Sequence, residues 1–255
     1  MTHSPILKVL SIFKKNKVKS LLIGGQACIL YGAAEFSRDS DFMVLCDPRN
    51  LEYLKKALKE LKTEIIYVPE FKEEYLRRGH ACHFRCQAKG VEGSRVDLIS
   101  KLKGCDEFGQ LWTRRKKIKL KGAQIVDVIG LKDLVQCKKT QRDKDWLMLK
   151  RLIETDYFQN RNKADENKVR WWLLENRTPE HLLELAQKYP TLADECLKMR
   201  PLLSAAIAGN SAHLELYLHE EEINEQSKDK EYWTPLKKEL ELLRHQVLGK
   251  KKKPK

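Results

Sequence analysis

The alternation of apolar and polar positions divides the chain into a first part that mixes strands with helices and a second part that is helical only. Before residue 160, short apolar runs typical of buried strands alternate with segments whose apolar residues recur every three or four positions, typical of amphipathic helices. After residue 160 every apolar pattern has helical spacing. The sequence therefore predicts an α+β fold, a mixed sheet flanked by helices, followed by an all-α C-terminal bundle.

The same pattern predicts where the parts begin and end. The polar stretch NRNKADEN, residues 160–167, is typical of a linker. We therefore expect a mixed α/β domain over 1–158, a helical domain over 159–248 and a basic disordered tail over 249–255. Within the helical part, separate helices are expected over 213–225 and 235–248. Of the adjacent tryptophans Trp171 and Trp172, one ring is expected to be buried and the other half exposed, with stacking on bases as the alternative.

The stretch from Leu21 to Val44 carries the first candidate chemistry. An apolar run ends in Gly24-Gly25, a short helical pattern follows, and Asp39 and Asp41 open a second apolar run. Glycines that leave a strand let the backbone approach a phosphate closely. Residues two apart on a strand share a face, and a divalent cation relieves the repulsion between two such carboxylates. The alternative is an ordinary turn followed by an ordinary strand start.

A second carboxylate-bearing strand is predicted downstream. Residues 80–87 alternate in polarity, residues 89–93 contain two glycines, and Arg95–Ser100 alternates again, which predicts a hairpin that brings Asp97 beside the first strands. The His and Cys residues of the first hairpin strand suggest zinc, but a strand spreads positions 80 and 86 roughly 20 Å apart. His83 or Arg85 could instead line a nucleotide pocket, or pack in the core or at the sheet edge.

Together, these features resemble the signature of the nucleotidyltransferase superfamily, which has the DNA polymerase beta-like fold. The shared elements are the two glycines, the short helix and the S-x-D-x-D pattern of residues 37–41. In that family a third acid comes from a neighbouring strand with an apolar-Asp-apolar pattern, here Val96-Asp97-Leu98. The resemblance extends to about residue 155. It implies that 1–158 is a catalytic domain that moves a nucleoside monophosphate from an NTP to an acceptor hydroxyl.

The resemblance also implies a role for each matching residue. Gly24 and Gly25 would cradle the triphosphate, assisted by Ser37. Ser40 stands where the family usually has an apolar residue, and Gly-Gly replaces a common Gly-Ser. These departures keep open a second hypothesis, a non-catalytic antitoxin-like or nucleotide- or RNA-binding module that retains the fold. The three acids would be catalytic and would bind Mg²⁺ or Mn²⁺: Asp39, Asp41 and Asp97.

A basic cluster follows the predicted sheet. Lys138, Lys139 and Arg142 lie within about one helical turn, so they can present positive charge to one site. The segment KKTQRDKD, residues 138–145, resembles a Lys-Lys…Arg-x-Lys-Asp element of some bacterial nucleotidyltransferase-fold proteins, including relatives of toxins from toxin–antitoxin systems. The resemblance implies that these residues bind the nucleotide through its triphosphate. The alternative is a charged helix–helix junction.

Charge and composition add expectations about partners. The net charge is +14, and residues 101–151 hold 15 Lys/Arg against six Asp/Glu, a local +9. Clustered positive charge is typical of a polyanion-binding surface, so the basic segment 114–121 predicts binding of RNA, with a tRNA-like acceptor favoured. A solvated basic face is the alternative. The seven unpatterned cysteines and the lack of a long apolar run predict a cytoplasmic, non-membrane protein, and a protein partner stays open.

Overall fold

The computed structural model describes residues 5–34, 36–120 and 124–251. Seven strands of these residues form one mixed sheet, so the predicted α+β class is confirmed. The strands are β1 (Ser20–Ile23), β2 (Asp39–Val44), β3 (Thr63–Ile65), β4 (Cys82–Cys86), β5 (Arg95–Ile99), β6 (Lys116–Lys119) and β7 (Ile125–Val128). Their order in the sheet is β3-β4-β5-β2-β1-β7-β6.

The pairing of the central strands decides which polar residues meet. Strand β2 is antiparallel to β1 and parallel to β5, and β4 and β5 form the predicted antiparallel hairpin. At the other end of the sheet, β7 runs parallel to β1 and antiparallel to β6. Because β2 and β5 run in the same direction, their first residues lie at the same edge of the sheet.

Helices cover the sheet with apolar faces that the sequence indicates. The helix over 5–15 buries Ile6, Val9 and Phe13, and the Phe13 ring contacts Phe42 of β2 with centroids 4.8 Å apart. The helix over 48–60 is capped at its N-terminus by Asp47, whose side chain accepts a hydrogen bond from the Asn50 backbone amide. The helices are α1 (Pro5–Lys15), α2 (Gly24–Leu30), α3 (Pro48–Glu60), α4 (Glu73–Arg78), α5 (Phe108–Thr113) and α6 (Leu131–Cys137).

The rest of the described chain is helical, as predicted. The expected separation of helices over 213–225 and 235–248 is wrong, because a single helix of 41 residues runs from Ser211 to Lys251 through Pro235. Strong helix formers, Glu, Gln and Lys, dominate the residues before it and favour continuation. The helices are α7 (Asp143–Asn160), α8 (Glu166–Glu175), α9 (Pro179–Lys188), α10 (Pro190–Leu197), α11 (Leu203–Ile207) and α12 (Ser211–Lys251).

The described residues form two compact units. Those within 1–30, 34–137 and 231–255 form the first unit, and those within 31–33 and 138–230 form the second. A compact unit is not the same as a domain that folds alone, so the sequence boundary at 158/159 stays a prediction. Of the expected tail at 249–255, residues 252–255 lie outside the described residues, and α12 includes 249–251. No described helix is long and apolar enough to cross a membrane.

Both adjacent tryptophans of α8 are buried, so the expectation of one half-exposed ring is wrong. Trp171 is 8% exposed and Trp172 is 1% exposed. The Trp172 indole donates a hydrogen bond of 2.9 Å to Asp156 and packs against Tyr157 with ring centroids 5.0 Å apart. Burial of this kind leaves no ring face for a base.

Candidate functional site

The three predicted acids lie on two neighbouring strands of the first unit. Strand β2 carries Asp39 and Asp41 on one face, while Ser40 between them is buried on the other. Because β2 and β5 are parallel and in register, Asp97 lies directly beside Asp41. Two residues that are 56 positions apart in the sequence thus become neighbours in the sheet.

The Gly24-Gly25 turn packs directly against this acidic strand. Gly24 follows β1, whose last residue Ile23 pairs with Asp41, and it has a φ of +65°. A Cβ at Gly24 would lie 2.1 Å from the Asp41 Oδ2 atom, and a Cβ at Gly25 would lie 2.4 Å from the Ser37 Oγ atom. Side chains therefore occupy the space that any residue larger than glycine needs.

The loop that carries Ser37 is tied to the helix that starts at this turn. The Gln26 side-chain amide donates a hydrogen bond of 2.8 Å to the Ser37 carbonyl. The Ser37 hydroxyl donates a longer hydrogen bond, 3.4 Å, to the Asp39 carbonyl. Ser37, Gly25 and Asp39 are therefore close together. The predicted phosphate-turn residues and the first predicted metal ligand belong to one local structure.

Asp97 is engaged by two basic side chains of the hairpin. The Arg95 Nε atom donates a hydrogen bond of 2.8 Å to Asp97 Oδ1, and the His83 Nδ1 atom lies 2.9 Å from the same oxygen. Arg95 Nη1 also lies 4.0 Å from Asp39 Oδ2. Partial burial alone would lower the pKa of Arg95, but Asp97 and Asp39 raise it above its ordinary value, so the guanidinium stays charged. A permanent cation thus lies beside two of the three acids, Asp97 and Asp39.

Arg95 is the site residue that reasoning from the sequence missed. It lies two positions before Asp97 on β5, so it shares that face of the strand. The Tyr67 ring lies beside it, with the guanidinium carbon 5.7 Å from the ring centroid. The signal was present in the alternation of β5, but the alternation does not show which carboxylate the guanidinium would meet.

The acids suit a hard divalent cation by chemical type, since carboxylate oxygens are the ligands that Mg²⁺ prefers. Their present arrangement fits it only in part. No group of three His, Cys, Asp or Glu side chains within the described ranges is positioned to hold a metal ion. Asp39 is the more open acid, with 45% of its side chain exposed against 14% for Asp97. The metal-binding role of the three acids therefore stays a prediction, and Asp97 is bound to Arg95.

The predicted triphosphate-binding cations belong to the second unit and have acidic partners there. Lys138 and Arg142 both contact the buried Asp145, with N–O distances of 2.8 Å and 2.6 Å. Lys139 lies 2.8 Å from Glu175. Lys138 is itself buried, whereas the Arg142 side chain is 58% exposed. The nucleotide-binding role of these cations stays a prediction, and each would have to exchange an acidic partner for a phosphate.

The basic segment 114–121 divides into paired arginines and strand lysines. Arg114 binds Asp133 through two hydrogen bonds of 2.7 Å, and Arg115 binds Asp127 while its guanidinium lies 3.9 Å from the Trp112 ring centroid. The following lysines form the edge strand β6, which the sequence analysis did not predict. Lysines on an edge strand discourage pairing with other chains. Lys121 lies outside the described residues.

Comparison with known proteins finds solved structures that resemble this chain at low sequence identity. No family model and no curated protein matches the chain. The crystal structure of the lincosamide antibiotic adenylyltransferase LnuA with bound lincomycin resembles it at 14% identity over 60% of this chain and 96% of LnuA, with a TM-score of 0.43. A protein from H. pylori, provisionally assigned as a nucleotidyltransferase, resembles it at 13% identity over 89% of this chain and 95% of its own, with a TM-score of 0.39. TM-scores below 0.5 indicate only partial overlap of two folds, so neither similarity bears on the function proposed below.

Proposed function

We propose that the protein is a metal-dependent nucleotidyltransferase that moves a nucleoside monophosphate from an NTP to an acceptor hydroxyl. The observation that carries the proposal is the packing of the Gly24-Gly25 turn against Asp41 while Asp97 lies in register beside it. A structural role alone does not explain why three acids gather on one sheet face at a turn that admits no side chain. Binding of a nucleoside triphosphate with its divalent cation needs this combination, because carboxylate oxygens bind the cation and glycine lets the backbone approach the phosphates closely.

In the proposed reaction the acceptor oxygen attacks the α-phosphorus, and the bond from that phosphorus to the bridging oxygen breaks, so that pyrophosphate leaves. Asp39 and Asp41 would hold Mg²⁺ or Mn²⁺, which when bound neutralises phosphate charge and favours the deprotonated acceptor. Gly24 and Gly25 orient the β- and γ-phosphates, assisted by Ser37. Asp97 joins the site as the third acid when its ion pair with Arg95 opens.

We also propose a source of positive charge for the leaving pyrophosphate, the basic cluster that follows the sheet in the sequence. Lys138, Lys139 and Arg142 are the residues proposed for this role, because fixed cations stabilise charge that develops on a leaving group. The exposure of Arg142 supports this role. If Arg142 moves away from Asp145, the carboxylate still accepts hydrogen bonds from Lys138 and Thr140 and is not left unpaired. A phosphate would then replace Asp145 as the partner of Arg142.

For the acceptor we propose RNA with a tRNA-like end. The exposed lysines of β6, Lys117 and Lys119, support it. Arg114 and Arg115 do not, since their guanidinium groups already bind acids. If the lysines contact phosphates, RNA affinity falls steeply with salt, and neutralising Lys117 and Lys119 to Gln flattens the dependence. The matched control neutralises Lys55 and Lys56 of α3 in the same way. Salt-insensitive or undetectable RNA binding would favour a protein or small-molecule acceptor.

One observation favours a second candidate, a non-catalytic module that binds a nucleotide or RNA, such as an antitoxin-like protein. Arg95 and His83 already engage Asp97, so the acid nearest Asp41 carries its own counter-charge. A protein without metal chemistry would keep this arrangement permanently. Such a module would bind NTP or RNA, but it would not release pyrophosphate.

Transfer of label separates the two candidates. The protein is incubated with each α-labelled NTP, Mg²⁺ or Mn²⁺ and total RNA, and the label is followed into RNA, into the protein itself and into small products. We expect transfer by the intact chain and at least a hundredfold loss, about 2.7 kcal/mol, in Asp39→Asn and Asp41→Asn. The control Asp194→Asn makes the same chemical change on an exposed position of α10 and should leave the rate unchanged. Binding of NTP without any transfer would support the non-catalytic module.

A further inference from the structure

A row of paired residues crosses the sheet from the glycine turn to the hairpin. Ile23, the residue before the glycine turn, pairs with Asp41, and Asp41 pairs with Asp97. Asp97 in turn pairs with His83 of β4. Side chains directly opposite one another in paired strands lie on the same face of the sheet. The acids therefore have the glycine turn on one side and the strands β4 and β3 on the other.

The proposed reaction gives these two sides different substrates. In an in-line displacement the attacking oxygen and the leaving oxygen lie on opposite sides of the phosphorus. The glycine turn follows β1 and would hold the β- and γ-phosphates, so pyrophosphate would leave on the β1 side of β2. The attacking hydroxyl therefore has to approach from the opposite side, where β5, β4 and β3 follow one another.

Tyr67 presents an exposed aromatic ring on this approach side. It follows β3, and 51% of the residue is exposed. The backbone N–H of Ile66 donates a hydrogen bond of 2.9 Å to the His83 carbonyl, which fixes the chain just before the tyrosine. The rings of Tyr67 and His83 have centroids 5.7 Å apart at an angle of 79°, and the Arg95 guanidinium carbon lies 5.7 Å from the Tyr67 centroid. Two side chains of the site thus hold a ring that remains half open to solvent.

A second arginine adds positive charge on the same face. Arg85 of β4 lies directly opposite Arg95 of β5, an arrangement in which like charges repel. Asp97 offsets the charge of Arg95. Glu64 faces Arg85 from β3, but it accepts a hydrogen bond of 3.4 Å from Gln87 instead. Because Arg85 is exposed, an anion from solution can reach it.

We propose that Tyr67 and Arg85 form the acceptor subsite and bind the terminal nucleotide of an RNA acceptor. The base of this nucleotide stacks on the exposed surface of Tyr67, and its phosphate binds Arg85, while His83 and Arg95 position the ring. Aromatic stacking and arginine contacts are the usual means of binding single-stranded nucleic acid. The hydroxyl of the bound nucleotide forms the new bond to the α-phosphorus, its proton passes to water, and pyrophosphate leaves. This subsite rests on the proposed function and adds to it a planar base next to the attacking hydroxyl.

Label transfer to two hairpin RNAs tests the subsite. Both RNAs have a single-stranded 3′ end, and in one of them the terminal nucleotide is abasic, so that its hydroxyls remain and only the base is missing. We expect the intact protein to use the abasic RNA with a kcat/KM lower by about fivefold or more, since loss of one stacked base costs about 1 kcal/mol or more. Tyr67→Ala should lower kcat/KM for the complete RNA by the same factor and leave that for the abasic RNA unchanged. The KM for the NTP should stay within about twofold.

Matched variants separate stacking from other effects. Tyr67→Phe keeps the ring and should transfer label as the unaltered protein does. Tyr217→Ala removes a partly exposed ring of α12 and should change neither RNA. Arg85→Gln should weaken RNA binding and lower its salt dependence by about one phosphate contact, whereas Lys56→Gln on α3 should not. Circular dichroism of each variant verifies that it is folded.

Stacking can also be measured without transfer. A hairpin RNA with 2-aminopurine as its terminal base should change its fluorescence when it binds the intact protein or Tyr67→Phe. Binding to Tyr67→Ala should leave the fluorescence close to that of the free RNA. The same change with Tyr67→Ala would place the base elsewhere and overturn the subsite.

The outcomes separate this subsite from the proposed function. Equal discrimination against the abasic RNA by the intact protein and by Tyr67→Ala would refute the subsite and leave the proposed function standing. A raised KM for the NTP in Tyr67→Ala, with unchanged use of both RNAs, would assign the ring to the NTP and also overturn the subsite. Label that enters only the protein or small molecules would show that the acceptor is not RNA. Absence of transfer to every acceptor would refute the proposed function, and the subsite with it.

Discussion

Replacement of Gly24 by alanine tests whether the glycine turn is shaped by the acidic strand. At a φ of +65° an alanine costs about 1–2 kcal/mol through backbone strain alone. Its Cβ would also lie 2.1 Å from Asp41 Oδ2 and 2.9 Å from Asp41 Cβ, where ordinary contacts begin at 3.4 Å. Rotation of the carboxylate relieves the first contact but not the second, because Asp41 Cβ is fixed to strand β2. Overpacking of this kind costs a further ~1–3 kcal/mol.

Gly93→Ala is the matched control for backbone strain. Gly93 also has a positive φ, +74°, but a Cβ there would meet no atom within 4 Å. This variant should therefore lose only the strain, about 1–2 kcal/mol. The difference between the two variants isolates the contact with Asp41.

Urea unfolding followed by circular dichroism measures both losses. We expect Gly24→Ala to lose about 1–3 kcal/mol more than Gly93→Ala, with an unchanged dependence on urea. Gly24→Ala should also lose label transfer, since Asp41 is displaced, while Gly93→Ala retains it. If the two variants lose equal stability, or Gly93→Ala loses more, the packing of Gly24 against Asp41 does not constrain the turn and the reasoning fails.

Two other predictions concern residues away from this turn. Asp145→Asn should cost about 3–5 kcal/mol at neutral pH, because it leaves Lys138 buried without an anion. Burial alone would raise the pKa of Asp145, but Lys138, Arg142 and Thr140 together hold it below its ordinary value. The stabilising effect of this carboxylate is therefore present above about pH 4, and it is lost as the pH falls through the lower folded-state pKa. Urea unfolding should therefore show that Asp145→Asn lowers the free energy of unfolding by less at pH 3 than at pH 7. An equal loss at both pH values would contradict this assignment. The thiols of Cys105 and Cys137 lie 3.5 Å apart, so mild oxidation with diamide should join them before any other pair, as seen by non-reducing peptide mapping. A bridge that survives in Cys137→Ser would refute this pairing.

Much of the element order follows from local pattern. The strand that carries Asp39 and Asp41 and the hairpin strand that begins at Arg95 lie where the pattern of apolar residues predicts them. Such spacing reports which face of an element is buried, and this needs only residues a few positions apart. The placement of Asp39 and Asp41 on one strand face follows in the same way. Strand β6 was not predicted, because a strand with three lysines among four residues has no alternation of apolar and polar positions.

What local pattern cannot decide is which elements become neighbours. Asp97 meets Asp41 only through the parallel register of β2 and β5, and Arg95 reaches Asp97 and Asp39 only because that register holds. Such contacts depend on how the whole sheet packs, and many registers are compatible with the same alternation.

The contacts of Glu221 illustrate the same limit in the second unit. Arg177 and Arg200 both lie beside this carboxylate, and the spacing of the three residues in the sequence forms no motif. Whether a buried guanidinium has enough acceptors depends on every neighbour that packing brings within reach. The sequence alone therefore determined the elements and the chemical types available to this protein, and the tertiary structure decided which charges meet and which remain unpaired.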